Sequence, residues 1–211
     1  MSRNPHKHLR QNDSAGGTRF GNSQSETNTF GQTQFAVGGI KMVQAIFGKE
    51  DVKGFDKKGS DYDEPRGTIV KKDKNGNIIK RQKHWHCGTD IPDEEGIPLY
   101  APWNGYVRVA KTNAGSAGNY LMFADNSNQV AVVFMHCEKL NVIKGDKVSA
   151  GGILAYLGRT GRNAVTNAPT TPHLHLELYI DGKFTMGEST NHGGPGTHVN
   201  PADAHGYIGA T

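Results

Sequence analysis

The chain has 211 residues, 35% of them apolar and 21% charged, which suits one large globular domain or a domain with an extension. A net charge of +4 is a mild basic bias that favours anionic surfaces, without the clustered basic and aromatic side chains expected of a nucleic-acid-binding module. The longest apolar runs, such as Val130 to Met135, are far too short to span a bilayer, and two cysteines are too few for a disulfide scaffold.

The opening Met1-Ser2-Arg3-Asn4-Pro5-His6-Lys7-His8 is charged but has no apolar stretch after it, so it does not read as a secretory signal peptide. Residues 1 to about 34 are rich in Asn, Ser, Gln, Thr and Gly and read as an extended or poorly ordered arm, with Phe20, Phe30 and Phe35 as contacts for a partner. Ile40, Val43 and Phe47 fall at helical spacing before Gly48, which predicts a short amphipathic helix. Residues 49 to 66 read as a charged linker, so the chain divides into an arm and linker, 1–66, and a folded domain, 67–211.

Regular β structure is expected from Thr68. Thr68-Ile69-Val70 and Ile78-Ile79 flank Asp73-Lys74-Asn75-Gly76-Asn77, whose Asn-Gly signals a hairpin rather than a calcium loop. Glycine-punctuated runs follow at 99–101, 106–110, 120–124, 130–135, 153–157 and 173–180. The 28 glycines and this rhythm predict an all-β fold, an antiparallel sandwich or half-barrel with a groove. The loops 111–118 and 159–171 are the expected rims of that groove, and 183–198, with His192 and His198, a surface loop or wall.

Three histidine-bearing segments carry the chemistry. In Thr171-Pro172-His173-Leu174-His175-Leu176-Glu177-Leu178-Tyr179 the period of a strand puts His173, His175 and Glu177 on one face and the leucines on the other. Glu177 is then either a partner that orients a ligating histidine or a solvated strand end. His86 and Asp90 are four apart, with Gly88 between them to let the backbone bend. Two imidazoles and one carboxylate would form an open metal site, with a position left for water. His136 ends the apolar run Val132-Val133-Phe134-Met135, where a catalytic base can emerge at a cleft; His84 is read as lining that cleft. Cys87 and Cys137 each follow a site histidine and are expected to point away from the metal, as buried free thiols or as a disulfide.

Taken together, His86-x-x-x-Asp90, Gly96-Ile97-Pro98-Leu99-Tyr100-Ala101-Pro102-Trp103-Asn104-Gly105, Gly118-Asn119-Tyr120, the His136 run, Val142 to Gly151, Leu157-Gly158-Arg159-Thr160-Gly161, His173-Leu174-His175 and Val199-Asn200-Pro201 resemble lysostaphin-type zinc endopeptidases, over residues 84 to 203. The resemblance implies Zn2+ held by His86, Asp90 and His175, and His136 and His173 as the catalytic pair beside the attacked carbonyl. It places Asn119 near the rim as a substrate contact, though a turn asparagine beside Gly118 explains that residue equally well, and it implies cleavage of peptide bonds in bacterial peptidoglycan, outside the cytoplasm. The alternative is a non-catalytic wall-binding or assembly protein of the same fold, but the ligand set here is complete. The arm without a leader suggests delivery as a phage lysin or virion-borne hydrolase; an exported protein numbered after processing is the other reading.

Overall fold

A computed structural model of the chain describes residues 26–27, 33–34, 36–37, 40–41, 45–48, 61–180, 182, 184, 198–199 and 201. Phe20, Phe30, Phe35, Val43 and His192 lie outside the described residues, as does most of the expected arm. Within the arm, β1 (Glu26–Thr27) pairs antiparallel with β2 (Thr33–Gln34), and β3 (Ala36–Val37) with β4 (Ile40–Lys41). The expected helix over Ile40 to Phe47 is therefore corrected: Ile40 is in a hairpin strand and Phe47 in a turn. Gly38-Gly39 between the two strands is a hairpin signal that outranks a three-residue match to helical spacing. At the turn, Ile46 and Phe47 are buried in the main core, and the Tyr100 amide donates to the Ile46 carbonyl.

Next comes a long hairpin, β5 (Pro65–Lys72) and β6 (Ile78–Trp85), which starts before the expected Thr68. Its turn closes on Asp73, whose carboxylate accepts from the amides of Asn75 and Asn77. That is a turn device and agrees with the hairpin reading. Short strands β7 (Thr89–Ile91) and β8 (Pro98–Tyr100) lead into β9 (Gly105–Lys111), β10 (Asn119–Asp125) and β11 (Ala131–Cys137). They are followed by β12 (Lys139–Leu140), β13 (Lys147–Val148), β14 (Ile153–Tyr156), β15 (Leu174–Tyr179) and β16 (His198–Val199).

A seven-stranded antiparallel sheet runs β13-β9-β10-β11-β15-β16, with β7 also paired to β15; a three-stranded sheet, β12-β14-β8, lies apart from it. The main core lies between them. Val107, Leu121, Phe123, Val132, Phe134, Leu174, Leu176 and Leu178 from the large sheet meet Leu99, Leu154 and Ala155 from the small one. The opposite face of the large sheet carries a second cluster, including Met122, Val133 and Tyr179. With both faces apolar in the middle, β10 and β11 read as continuous hydrophobic runs, whereas β15 alternates leucines with His175, Glu177 and Tyr179. The expected all-β, open antiparallel architecture is what the structure has.

Candidate active site

Register alone brings two of the site residues together. β7 pairs with β15 so that Asp90 lies directly opposite His175, although the two are 85 positions apart in sequence. His86 sits in the link between β6 and β7, where Gly88 passes tightly against β15: a Cβ there would lie 2.2 Å from the Leu176 carbonyl oxygen. Gly88 is thus required for room rather than for bending. His173 adjoins β15 through a bridge to Gly158. His136 stands at a β-bulge, where β11 has one residue more than β10 between paired positions, and takes φ 62°. Bulges re-aim side chains, and left-handed φ in a non-glycine residue concentrates at functional sites.

His86 Nε2, Asp90 Oδ1 and His175 Nδ1 form a nearly equilateral triangle. The nitrogens are 3.0 Å apart, and Asp90 Oδ1 lies 3.0 Å from His86 and 2.9 Å from His175. The outer nitrogen of each ring is engaged. His86 Nδ1 lies 2.6 Å from the Asp61 carbonyl and 2.7 Å from Arg66 Nη2, and His175 Nε2 faces Glu177 Oε1 at 3.3 Å. The Glu177 carboxylate can only accept, which puts the His175 proton on Nε2, outside the triangle, whereas His86 Nδ1 meets an acceptor in the Asp61 carbonyl and a donor in the Arg66 guanidinium. Two ring nitrogens and a carboxylate oxygen thus converge on one point, an arrangement that suits a cation. Tetrahedral bonds of 2.0–2.1 Å would set the donors about 3.3 Å apart, a few tenths of an ångström wider than found. The donor set therefore fits a small divalent ion.

Electrostatics agree. Burial works against a charge on His175, yet hydrogen bonds and charges from Asp90 and Glu177 outweigh it and raise its pKa to about 9. A proton here does in part what a cation would do. Asp90 is held well below the usual carboxylate range: burial opposes this, but the two histidines dominate. Burial lowers the pKa of His86, and that of His173 as well. His136 falls to about 4, first through burial and then through the neighbouring charges of His173 and His175.

The remaining expected residues fall around this centre. His136 and His173 lie side by side with ring centroids 4.6 Å apart and planes tilted by 52°. Each Nδ1 is 2.7–2.8 Å from a backbone carbonyl, Thr160 for His136 and Thr171 for His173, which fixes Nε2 as the unprotonated nitrogen. His173 Nε2 lies 3.6 Å from Asp90 Oδ1. Both rings line a cleft of about 690 Å³ together with His84, and both loops expected as rims contribute to it, through Ser116 and Ala117 and through residues 162–166. Asn119 is committed elsewhere: its side chain accepts from the Asn113 amide and donates to the Glu138 carbonyl, bracing the 111–118 loop.

Glu177 is no solvated strand end. It is 4% exposed and accepts from the Tyr179 hydroxyl at 2.6 Å. Tyr179 continues the His173, His175, Glu177 alternation, so its part was readable and was missed. Arg66 was missed as well; read as linker, it donates to Asp90 Oδ2 at 2.8 Å from a bulge at the start of β5. Nothing in its sequence context signalled this. Cys87 lines the cleft rather than pointing away from it, because it lies in the irregular link and not on a strand. Cys137 is in the core, where burial pushes its thiol up to about 12, and the two cysteines are not joined in a disulfide. The side chain of His198 lies outside the described residues.

Residues 84–187 match the model of peptidase family M23. This stretch is an M23 domain. Among the relatives, the peptidoglycan DD-endopeptidase ShyA of Vibrio cholerae serotype O1 is 38% identical over 98 residues, 46% of this chain and 21% of ShyA. The glycyl-glycine endopeptidase ALE-1 of Staphylococcus capitis is 36% identical over 93 residues, 44% of this chain and 24% of ALE-1. The structure of lysostaphin from Staphylococcus simulans superposes with a TM-score of 0.44 at 27% identity, covering 56% of this chain and 43% of lysostaphin. The chain spans only about a fifth to a quarter of the length of these M23 relatives in sequence. Among the described residues, no helix is long and apolar enough to cross a membrane.

Proposed function

We propose that this chain is a zinc-dependent endopeptidase that hydrolyses peptide bonds in bacterial peptidoglycan. The observation that carries the reading is the convergence of His86 Nε2, Asp90 Oδ1 and His175 Nδ1 on one point, beside a second pair of neutral imidazoles in an open cleft. Zn2+ suits two imidazoles and a carboxylate, and when bound it supplies Lewis-acid polarisation of the carbonyl and a nucleophile from water near neutral pH.

The protein's own side chains do the rest. Glu177 fixes the tautomer of His175, Asp61 and Arg66 hold the outer nitrogen of His86, and Arg66 also holds the second oxygen of Asp90 so that the first faces the centre. His136 and His173, each with Nδ1 tied to a carbonyl, offer Nε2 to take the proton from water and return it to the leaving amine. Once protonated, either ring can donate to the oxyanion. In this reading the catalytic unit begins earlier than residue 67, because Asp61 and Arg66 already touch His86 and Asp90. Its place of work is the cell wall. Two M23 relatives are named for different bonds, DD-peptide and glycyl-glycine, so the choice between them rests with the loops that shape the cleft.

Clearing of purified peptidoglycan by the full chain tests the proposal. Turbidity is expected to fall with Zn2+ present, to stop falling with chelator, and to stay constant with His175→Ala. Undiminished clearing by the chelated protein would overturn the metal mechanism. Absence of clearing by the zinc-loaded wild type on walls of both cross-link types would favour the non-catalytic alternative.

A further inference from the structure

The basicity of this chain is local. The hairpin of β5 and β6, residues 65–85, holds seven Lys or Arg residues against one Asp, so with a total charge of +4 the remainder is net acidic. These basic residues meet across two paired strands, without the interleaved aromatic side chains of a nucleic-acid-binding surface.

Register shows which of them face the cleft. Gly67 pairs with His84, Ile69 with Gln82, and Lys71 with Lys80. Partners in an antiparallel pair share a face, and alternate pairs share the same one. His84, Ile69 and Gln82 line the catalytic cleft, so the next pair on that face is Lys71 and Lys80. The intervening pairs, Thr68 with Lys83 and Val70 with Arg81, belong to the other face. Like charges directly opposite one another destabilise a ladder, a cost that a bound anion relieves. At about 3.4 Å per residue, Lys71 lies about 14 Å along β5 from Gly67, the partner of the cleft-lining His84, the span of about four residues of extended peptide.

We propose that Lys71 and Lys80 form a carboxylate subsite at the far end of the groove. It would take an acidic side chain or free carboxyl of an extended peptide substrate about four residues from the bond to be cut. This deepens the peptidase reading and rests on it for the identity of the substrate. The cleft supplies the continuity, and the paired ammonium groups supply the complementary charge.

The test is binding, which does not depend on turnover. Fluorescein-labelled peptides with a glycyl-glycine centre and a single Glu placed one to seven residues to either side are titrated with the full, zinc-loaded chain by anisotropy at low salt. On one side of the centre, affinity is expected to peak three to five residues out, about 3- to 10-fold above the Gln counterpart, and to lose that preference in 0.5 M salt. The exposed charge reversals Lys71→Glu and Lys80→Glu together are expected to turn the preference towards a Lys-bearing peptide. A Glu effect independent of position would show general attraction and overturn the subsite. So would a binding site used by a single-stranded oligonucleotide but by none of the peptides. Peptide cleavage without any positional preference sinks the subsite alone, whereas positional binding without cleavage of any wall substrate sinks the peptidase reading alone.

Discussion

Glu177 is an acid with 4% exposure whose two oxygens face His175 Nε2 and the Tyr179 hydroxyl. Its negative charge makes the His175 ring a better donor to a cation and fixes which nitrogen is presented. Glu177→Gln keeps the size and removes the charge. We expect it to weaken zinc binding about 10- to 100-fold, measured by competition with a calibrated chelator, while far-UV circular dichroism stays as in the wild type. An unaltered zinc affinity would mean that the acid only fills space. Burial also raises the Tyr179 hydroxyl far above its ordinary value, followed by the charge of Glu177, so Tyr179 remains a donor at any working pH.

At the scale of elements, the link over residues 86–88 sets how closely β7 can approach β15. Gly88→Ala puts a methyl group 2.2 Å from the Leu176 carbonyl, against backbone that cannot give way as a flexible side chain does. A loss of about 1–3 kcal/mol in urea unfolding is expected, together with weaker zinc binding, because Asp90 moves with β7. A denaturation midpoint equal to the wild type would refute the contact. The same elements show what sequence does and does not disclose. His173, His175, Glu177 and Tyr179 were legible as one face because a strand alternates with period two. The facing of Asp90 and His175 was not readable from the residues alone, since it depends on a pairing register 85 positions apart; the family resemblance provided it. Strand β7 is three residues long, too short for periodicity to reveal, and Arg66 is aimed by a bulge that no local pattern announces. For Ile40 and Phe47, a weak helical spacing was given more weight than the Gly38-Gly39 pair beside it in the sequence.

For the whole molecule, the ion-free site imposes a pH dependence with two opposing limbs. His136 titrates at about 4 when folded against an ordinary 6.5, so between these values the unfolded chain binds the extra proton. Stability is therefore lost as pH falls from 6.5 through 4, by on the order of 3 kcal/mol when complete. His175, raised to about 9, contributes in the opposite sense: its stabilisation is fully present below 6.5 and is lost as pH rises through 9. The melting temperature of the chelated protein is expected to be highest near pH 6 to 7, and zinc is expected to abolish the alkaline decline, because metal affinity increases as the imidazoles lose their protons. A chelated protein whose melting temperature keeps climbing to pH 9 would contradict the His175 limb. A further consequence lies in how the rim over 159–171 is anchored. The Asn163 amide reaches the Ala168 carbonyl and the Arg162 amide the Ser116 carbonyl, while the Asn163 side chain accepts from the amides of Val165 and Thr166 and Arg162 Nη1 donates to the Asn167 carbonyl, so the rim is braced from within by its own residues. In the peptidase proposed above, the walls that choose the bond are thus braced apart from the strands that carry the chemistry, and mutational drift can reshape the one while the other is inherited intact.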